Sequence, residues 1–146
     1  MMMQAELESF RFWYPWRVRY RDCDMQGIVY FSVYFEYVEQ AIMEYFRQIG
    51  VPIGKTIHEG SFDWAFAHAE IDYRAPVAFD DLVSIGIRIP KCGRSSFEVH
   101  FAVVDAARER VHAHGRLVLV CYDSRSRRSC PLPDFVREKI EAFEGA

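Results

Sequence analysis

Two aspartates one residue apart, Asp22 and Asp24, stand just before Gly27 and a run of aromatics in the stretch "RDCDMQGIVYFSVYFEYVEQA", Arg21 to Ala41. Carboxylates placed where a strand hands over to a helix have two physical uses. They can close the turn or cap the helix by accepting backbone N–H groups. They can also do chemistry, because the first turn of a helix gathers unpaired N–H donors and the positive end of the macrodipole, and both favour an oxyanion beside them. Gly27 permits close backbone approach to such a group. A carboxylate there is suited to act as base or nucleophile rather than as acid. Residue type and spacing leave both uses open.

The elements around this stretch follow from periodicity. "PWRVRYRD", Pro15 to Asp22, alternates Val18 and Tyr20 against Arg17, Arg19 and Arg21 and predicts strand one. From Ser32 the period changes. Tyr34, Val38, Ala41, Ile42, Tyr45, Phe46 and Ile49 share one helical face, and Glu36, Gln40, Glu44 and Arg47 share the other. This is a helix of about four to five turns, with Ser32 as N-cap and Gly50 as its stop. A loop is expected from Pro52 to Ser61. Four β-rich segments follow: "FDWAFAHAEIDYRAP", "LVSIGIRI", "SFEVHFAVVD" and "VHAHGRLVLVCYD". In the middle pair, Val83, Ile85, Ile87 and Ile89 share one face, as do Phe97, Val99, Phe101 and Val103. Connections such as "KCGRS" and "DAARER" suit antiparallel hairpins. The tail "PLPDFVREKIEAFEGA" has Asp134 as the N-cap of a short terminal helix. The order β-α-β-β-β-β predicts an α+β fold, an antiparallel sheet wrapped around one long central helix, in a single domain over residues 1–146.

Composition narrows the partners. With 18 Lys+Arg against 21 Asp+Glu, net −3, the chain has no diffuse positive field for nucleic acid or an anionic membrane. The opening residues lack the pattern of an export signal, and no apolar run approaches the ~18 residues of a membrane span, so a cytoplasmic protein is expected. The four cysteines, Cys23, Cys92, Cys121 and Cys130, are scattered without a C-x-x-C pair and are expected to be reduced thiols. His112 and His114 would share one strand face, but no close third ligand is evident, and no metal site is assigned.

The segment "YRDCDMQGIVYFSVYFEYVEQA" closely resembles the signature of the 4-hydroxybenzoyl-CoA thioesterase-like branch of the hot-dog superfamily, in which Asp-x-Asp-x-x-Gly-(Ile/Val)-Val leads into the central helix. The likeness continues in "AEIDYRAPVAFDDLVSIGIRI", "GRSSFEVHFAVVD" and "AHGRLVLVCYD", so it covers most of the chain. The resemblance implies a hot-dog fold and an acyl-CoA thioesterase that needs no cofactor. Asp24 falls on the family's catalytic carboxylate. The backbone N–H groups of Tyr30 and Phe31, past Gly27, fall where the thioester carbonyl is bound. Asp22 takes a structural part in the turn, and Ser32 stands where many relatives have Asn. Tyr34 and Glu39 match an aromatic and an acidic position of the helix. Lys91, Arg94 and Ser95 lie in the hairpin with which relatives hold CoA phosphates, and Arg125, Arg127 and Arg128 add further charge nearby. Trp64, Phe66 and Tyr37 lie on elements that line the acyl cleft, which points to aryl or medium-chain acyl groups. Family members complete each site with a neighbouring subunit, so a homodimer or homotetramer is implied.

So sparse a constellation suffices, because a thioester carbonyl is already electrophilic and its thiol leaves readily; one carboxylate and a few oxyanion donors complete the chemistry. Two other functions compete. One is a non-catalytic acyl-CoA-binding or regulatory module, since a fold alone does not establish activity. The other is a hydratase or dehydratase, which would resemble members using a histidine; none of the five histidines lies in the strand-to-helix segment.

Overall fold

The computed structural model describes residues 4–145. Helix α1 (Gln4–Glu8) and strand β1 (Phe12–Arg17) come first, then the long helix α2 (Val33–Gln48) and a short helix α3 (Ile53–Glu59). Strands β2 (Trp64–Tyr73), β3 (Leu82–Cys92), β4 (Ser96–Asp105) and β5 (Val111–Asp123) follow, with a two-residue strand β6 (Arg128–Ser129) and helix α4 (Asp134–Glu144). The sheet runs β1-β3-β4-β5-β2, every pairing antiparallel, and β6 extends β5. Strands β1 and β2 are therefore its edges. This is the hot-dog arrangement, α+β as expected.

The core forms between α2 and one face of the sheet. Tyr34, Tyr37, Val38, Ala41, Ile42, Tyr45 and Phe46 of α2 are buried and join one cluster with Val83, Ile85, Ile87 and Ile89, with Phe97, Val99, Phe101 and Val103, and with Leu117 and Leu119. The period-2 and period-3.6 patterns thus find each other across the interface. Gly115 makes this packing possible on β5: a Cβ there would stand 2.1 Å from the Glu70 carbonyl oxygen and 2.6 Å from the Phe101 ring. The opposite sheet face has a smaller apolar patch, where Leu7 and Phe10 cover Ala102 and Val104.

Three expectations need correction. Strand one starts and ends earlier than Pro15 to Asp22, because Tyr20–Asp22 winds into a 3₁₀ turn that leaves Tyr20 85% exposed. The expected loop from Pro52 to Ser61 contains α3, which opens at Pro52, buries Ile53 and Thr56, and ends at Gly60 in the left-handed region. Asp134 is the first residue of α4, with Pro133 at the cap position. The four cysteines are unpaired, and burial pushes the Cys121 thiol up to about 12. No helix among the described residues is long and apolar enough to cross a membrane.

Candidate active site

The Asp22–Gly27 segment is a small hairpin closed on itself and zipped to the chain just before β3. The Asp24 N–H donates to the Ile28 carbonyl at 3.0 Å, and the Gly27 N–H returns to the Asp24 carbonyl at 3.0 Å. Gly27 sits at φ +79°, where a side chain would be strained. Beyond it, the Val29 N–H donates to Val77 and the Phe79 N–H to Gly27. Asp24 is half-buried at the turn. Its Oδ1 accepts the Gln26 N–H at 2.8 Å, while Oδ2 has no hydrogen bond among the described residues. One oxygen thus fixes the carboxylate, and the other stays available for chemistry.

Asp22 has the opposite character. It is 2% exposed and accepts hydrogen bonds from the Arg19 backbone N–H (2.9 Å), from Arg19 Nη2 (2.9 Å) and from the Tyr37 hydroxyl (2.7 Å). Burial alone would raise its pKa, but the donors from Arg19 and Tyr37 together outweigh that and hold it below the usual carboxylate range. Its carbonyl accepts the Tyr30 N–H at 3.0 Å. Asp22 therefore joins the end of β1 to the start of α2. Arg19, in turn, lies over the Trp16 ring at 5.2 Å.

The Asp22–Tyr30 bond changes the donor assignment at the helix start. Tyr30 and Phe31 were expected to donate together, but the Tyr30 N–H is already committed to Asp22. The Phe31 and Ser32 N–H groups have no acceptor among the described residues. Ser32 precedes α2 with helical backbone angles and makes no side-chain capping bond, so its own N–H belongs to the same open set. The Tyr73 hydroxyl donates to the Phe31 carbonyl and fixes this peptide. The Tyr73 ring also meets Tyr34 edge-on, centroids 5.2 Å apart. Sequence reasoning missed Tyr73, because its partner is 42 residues away and only the fold joins them.

Asp24, Phe31, Tyr34, Tyr73, Arg74 and Pro76 are among the residues lining one cleft of about 390 Å³. Cys23, between the two aspartates, is not among the residues lining this cleft, and burial first, then the charges of Asp22, Asp24 and Asp81, raise its thiol pKa.

The other expected site residues lie elsewhere. Tyr37 and Trp64 are core residues, 0% and 9% exposed, so they do not line the cleft. Phe66 and Glu39 share a separate groove of about 270 Å³ with Phe35 and Leu117. Lys91, Arg94 and Ser95 occupy the β3–β4 hairpin, where the Arg94 carbonyl accepts Leu132 and the Ser95 carbonyl accepts Cys121. Arg125 and Arg127 sit in the adjoining β5–β6 turn, and Arg128 begins β6. The start of β3 lies beside the Asp24 turn, through the Ile28–Ala78 bridge, and the hairpin lies past its other end. Eleven residues of strand separate them, roughly 30 Å. His114 pairs with Arg74 and His112 is buried; no group of three or more His, Cys, Asp or Glu side chains among the described residues is placed to hold a metal.

The chain is similar to known proteins over most of its length. A family model described as the thioesterase-like superfamily matches residues 18–140. The chain is 33% identical over 138 residues to a 1,4-dihydroxy-2-naphthoyl-CoA hydrolase of Synechococcus, covering 88% of this chain and 91% of that one. Among solved structures, a thioesterase of Thermus thermophilus complexed with coenzyme A and zinc superposes with TM-score 0.79 at 34% identity, covering 95% of this chain and 98% of the other. A gentisyl-coenzyme A thioesterase superposes with TM-score 0.77 at 26% identity, covering 88% and 98%.

Proposed function

The chain belongs to the thioesterase-like superfamily, and from that premise we propose that it hydrolyses acyl-CoA thioesters to the free acid and CoA, with Asp24 as the catalytic carboxylate. The observation that carries this reading is the pairing in one cleft of a carboxylate with a free Oδ2 and a helix start with unpaired N–H groups. In the reaction, Asp24 either takes a proton from a water that attacks the thioester carbon or attacks that carbon itself. The second route forms a mixed anhydride, which a water then hydrolyses to the free acid and the restored carboxylate. The carbonyl oxygen gains charge that the Phe31 N–H, with the Ser32 N–H beside it, stabilises, and the C–S bond breaks to release the CoA thiol. Tyr30 lines the cleft, and its N–H makes the hydrogen bond that holds the turn.

Two features favour an aryl acyl group. The cleft wall is aromatic, with Tyr30, Phe31, Tyr34 and Tyr73. The relatives named above act on dihydroxynaphthoyl-CoA and gentisyl-CoA, both ring-bearing acyl groups. We further propose that the working unit is a homodimer or homotetramer. The basic hairpin lies too far along β3 to hold the CoA of its own cleft, whereas Lys91, Arg94 and Ser95 can hold the CoA bound to a second copy.

Thiol release from a panel of aryl- and alkanoyl-CoA thioesters by the purified protein tests the reading. Hydrolysis with a preference for ring-bearing acyl groups is expected. Tight binding of the same thioesters without thiol release would instead make this a non-catalytic acyl-CoA-binding module.

A further inference from the structure

Arg74 is the one cation among the described residues that line the Asp24 cleft. Its backbone is held firmly where β2 ends: the Arg74 and Ala75 N–H groups both donate to the His112 carbonyl, at 2.8 and 3.1 Å, and Pro76 follows. No carboxylate pairs with its guanidinium among the described residues. Its single side-chain hydrogen bond there runs from Nε to Nε2 of His114, at 3.3 Å. A guanidinium can only donate, so this bond requires an imidazole with a lone pair on Nε2 and its proton on Nδ1. Burial, together with the Arg74 charge and against that of Asp72, lowers the His114 pKa and so favours the neutral ring that this bond requires. With Nε tied to His114, the two terminal amino groups of Arg74, a residue of the cleft lining, make no hydrogen bond among the described residues and remain as an unpaired fork.

We propose that Arg74 is a substrate-recognition residue, whose guanidinium, positioned by His114, binds an anionic oxygen of the thioester occupying the Asp24 cleft. The proposal rests on the thioesterase reading and sharpens it. An anionic oxygen can come from a CoA phosphate or from an acidic group on the acyl moiety, and the same fork geometry suits both. His114 is a positioning residue: it touches Arg74 and orients the fork.

The test uses four thioesters: benzoyl and 4-carboxybenzoyl groups, each on CoA and on N-acetylcysteamine, which carries no phosphate. Arg74→Ala, with an unchanged melting temperature, is expected to raise KM at least about tenfold wherever the recognised anion is present, with kcat nearly unchanged. A loss on both CoA thioesters but on neither N-acetylcysteamine thioester identifies phosphate as the anion. A loss that follows the carboxyl group identifies the acyl moiety. Arg74→Lys should keep part of the affinity, because it keeps the charge and loses the fork. His114→Gln retains an acceptor for Nε and should behave nearly as wild type, whereas His114→Phe should reproduce part of the Arg74→Ala loss. Equal rates for wild type and Arg74→Ala on all four thioesters, or an equal loss on all four, would overturn the proposal and leave the thioesterase reading intact. If the wild type hydrolyses none of them, that reading fails. Calorimetric titration with CoA and with the 4-carboxybenzoyl N-acetylcysteamine thioester then decides the role of Arg74: at least about tenfold weaker binding of either by Arg74→Ala upholds it, and equal or undetectable binding overturns it.

Discussion

The two ends of β3 differ in kind. At its start, beside the Asp24 turn, the chain gathers a carboxylate with one free oxygen, unpaired helix-start donors and a single lining cation, Arg74. At its far end it gathers Lys91 and Arg94, with Arg125 and Arg127 in the adjoining turn and Arg128 at the start of β6. A CoA thioester needs both kinds of group at once, a reacting centre and a place for phosphates. Under the proposed function, the lesson is that one chain keeps its candidate reacting centre and most of its candidate phosphate-binding cations apart, and that a second copy would reunite them.

The sharpest way to break this comparison is at the reacting end. Asp24→Asn keeps the acceptor for the Gln26 N–H, so the turn should survive, while the negative charge required by both the nucleophile and the general-base routes is lost. Turnover of an aryl-CoA thioester should fall by ~10² to 10⁴ or more, with binding of a non-hydrolysable analogue retained. Steady-state kinetics and calorimetry together check this. Retained turnover would reduce Asp24 to a turn residue.

A hybrid experiment tests whether the two ends cooperate between copies. Asp24→Asn and Arg94→Ala chains, unfolded together and refolded as a mixture, should regain activity at low substrate. In a hybrid dimer, the intact Asp24 cleft of one chain meets the intact Arg94 of the other, so an equimolar mixture should recover about a quarter of wild-type sites. If Arg94 instead served its own cleft, no hybrid site would be complete, and the mixture would show only the average of the two parents.

Asp22 should behave differently from Asp24 although only Cys23 separates them. Asp22→Asn leaves Arg19 and Tyr37 without their buried anion and should lower stability by about 1–3 kcal/mol, read by urea unfolding, with a smaller change in kcat than Asp24→Asn gives. The pH dependence follows from the depressed pKa. The folded state holds the Asp22 proton more weakly than the unfolded chain, so the stabilisation is complete above the unfolded value. It should be lost as pH falls from about 4 through the lower folded value. Asp22→Asn should flatten that acid limb of the stability profile, and an unchanged acid limb would remove Asp22 as its cause.

What the sequence revealed, and what it hid, follows the range of the interactions. The α2 face, the buried alternation of β3 and β4, and the turn at Gly27 depend on residues a few positions apart, and all were legible. Helix α3 was missed although Pro52 and Gly60 bracket it, because its seven residues bury only Ile53 and Thr56 and so show too little apolar periodicity to mark a helix. Strand one was placed too late because Val18 and Tyr20 continue the alternation after the backbone has left the sheet. Assigning the Tyr30 N–H to the substrate failed for a tertiary reason: the Asp22 carbonyl reaches it first. Tyr73 and Arg74 reach the cleft because β2 ends there, and Arg94 lies far from it because all of β3 stands between; both depend on contacts across the sheet that local patterns do not contain.

The smallest expected effect belongs to the basic end itself. Arg94 is exposed, and its side chain has no carboxylate partner among the described residues, so Arg94→Ala should leave folding untouched. A phosphate contact far from the thioester carbonyl is made about equally in the ground and transition states, so its loss weakens binding uniformly. KM for CoA thioesters should rise several-fold, roughly 3- to 10-fold, while kcat stays near wild type. Such a contact is also screened, and the difference between variant and wild type should shrink as ionic strength rises and the Debye length shortens. N-acetylcysteamine thioesters, which lack phosphates, should show no difference at any salt concentration. A fall in kcat at unchanged KM would place Arg94 at the reacting centre and erase the division between the two ends.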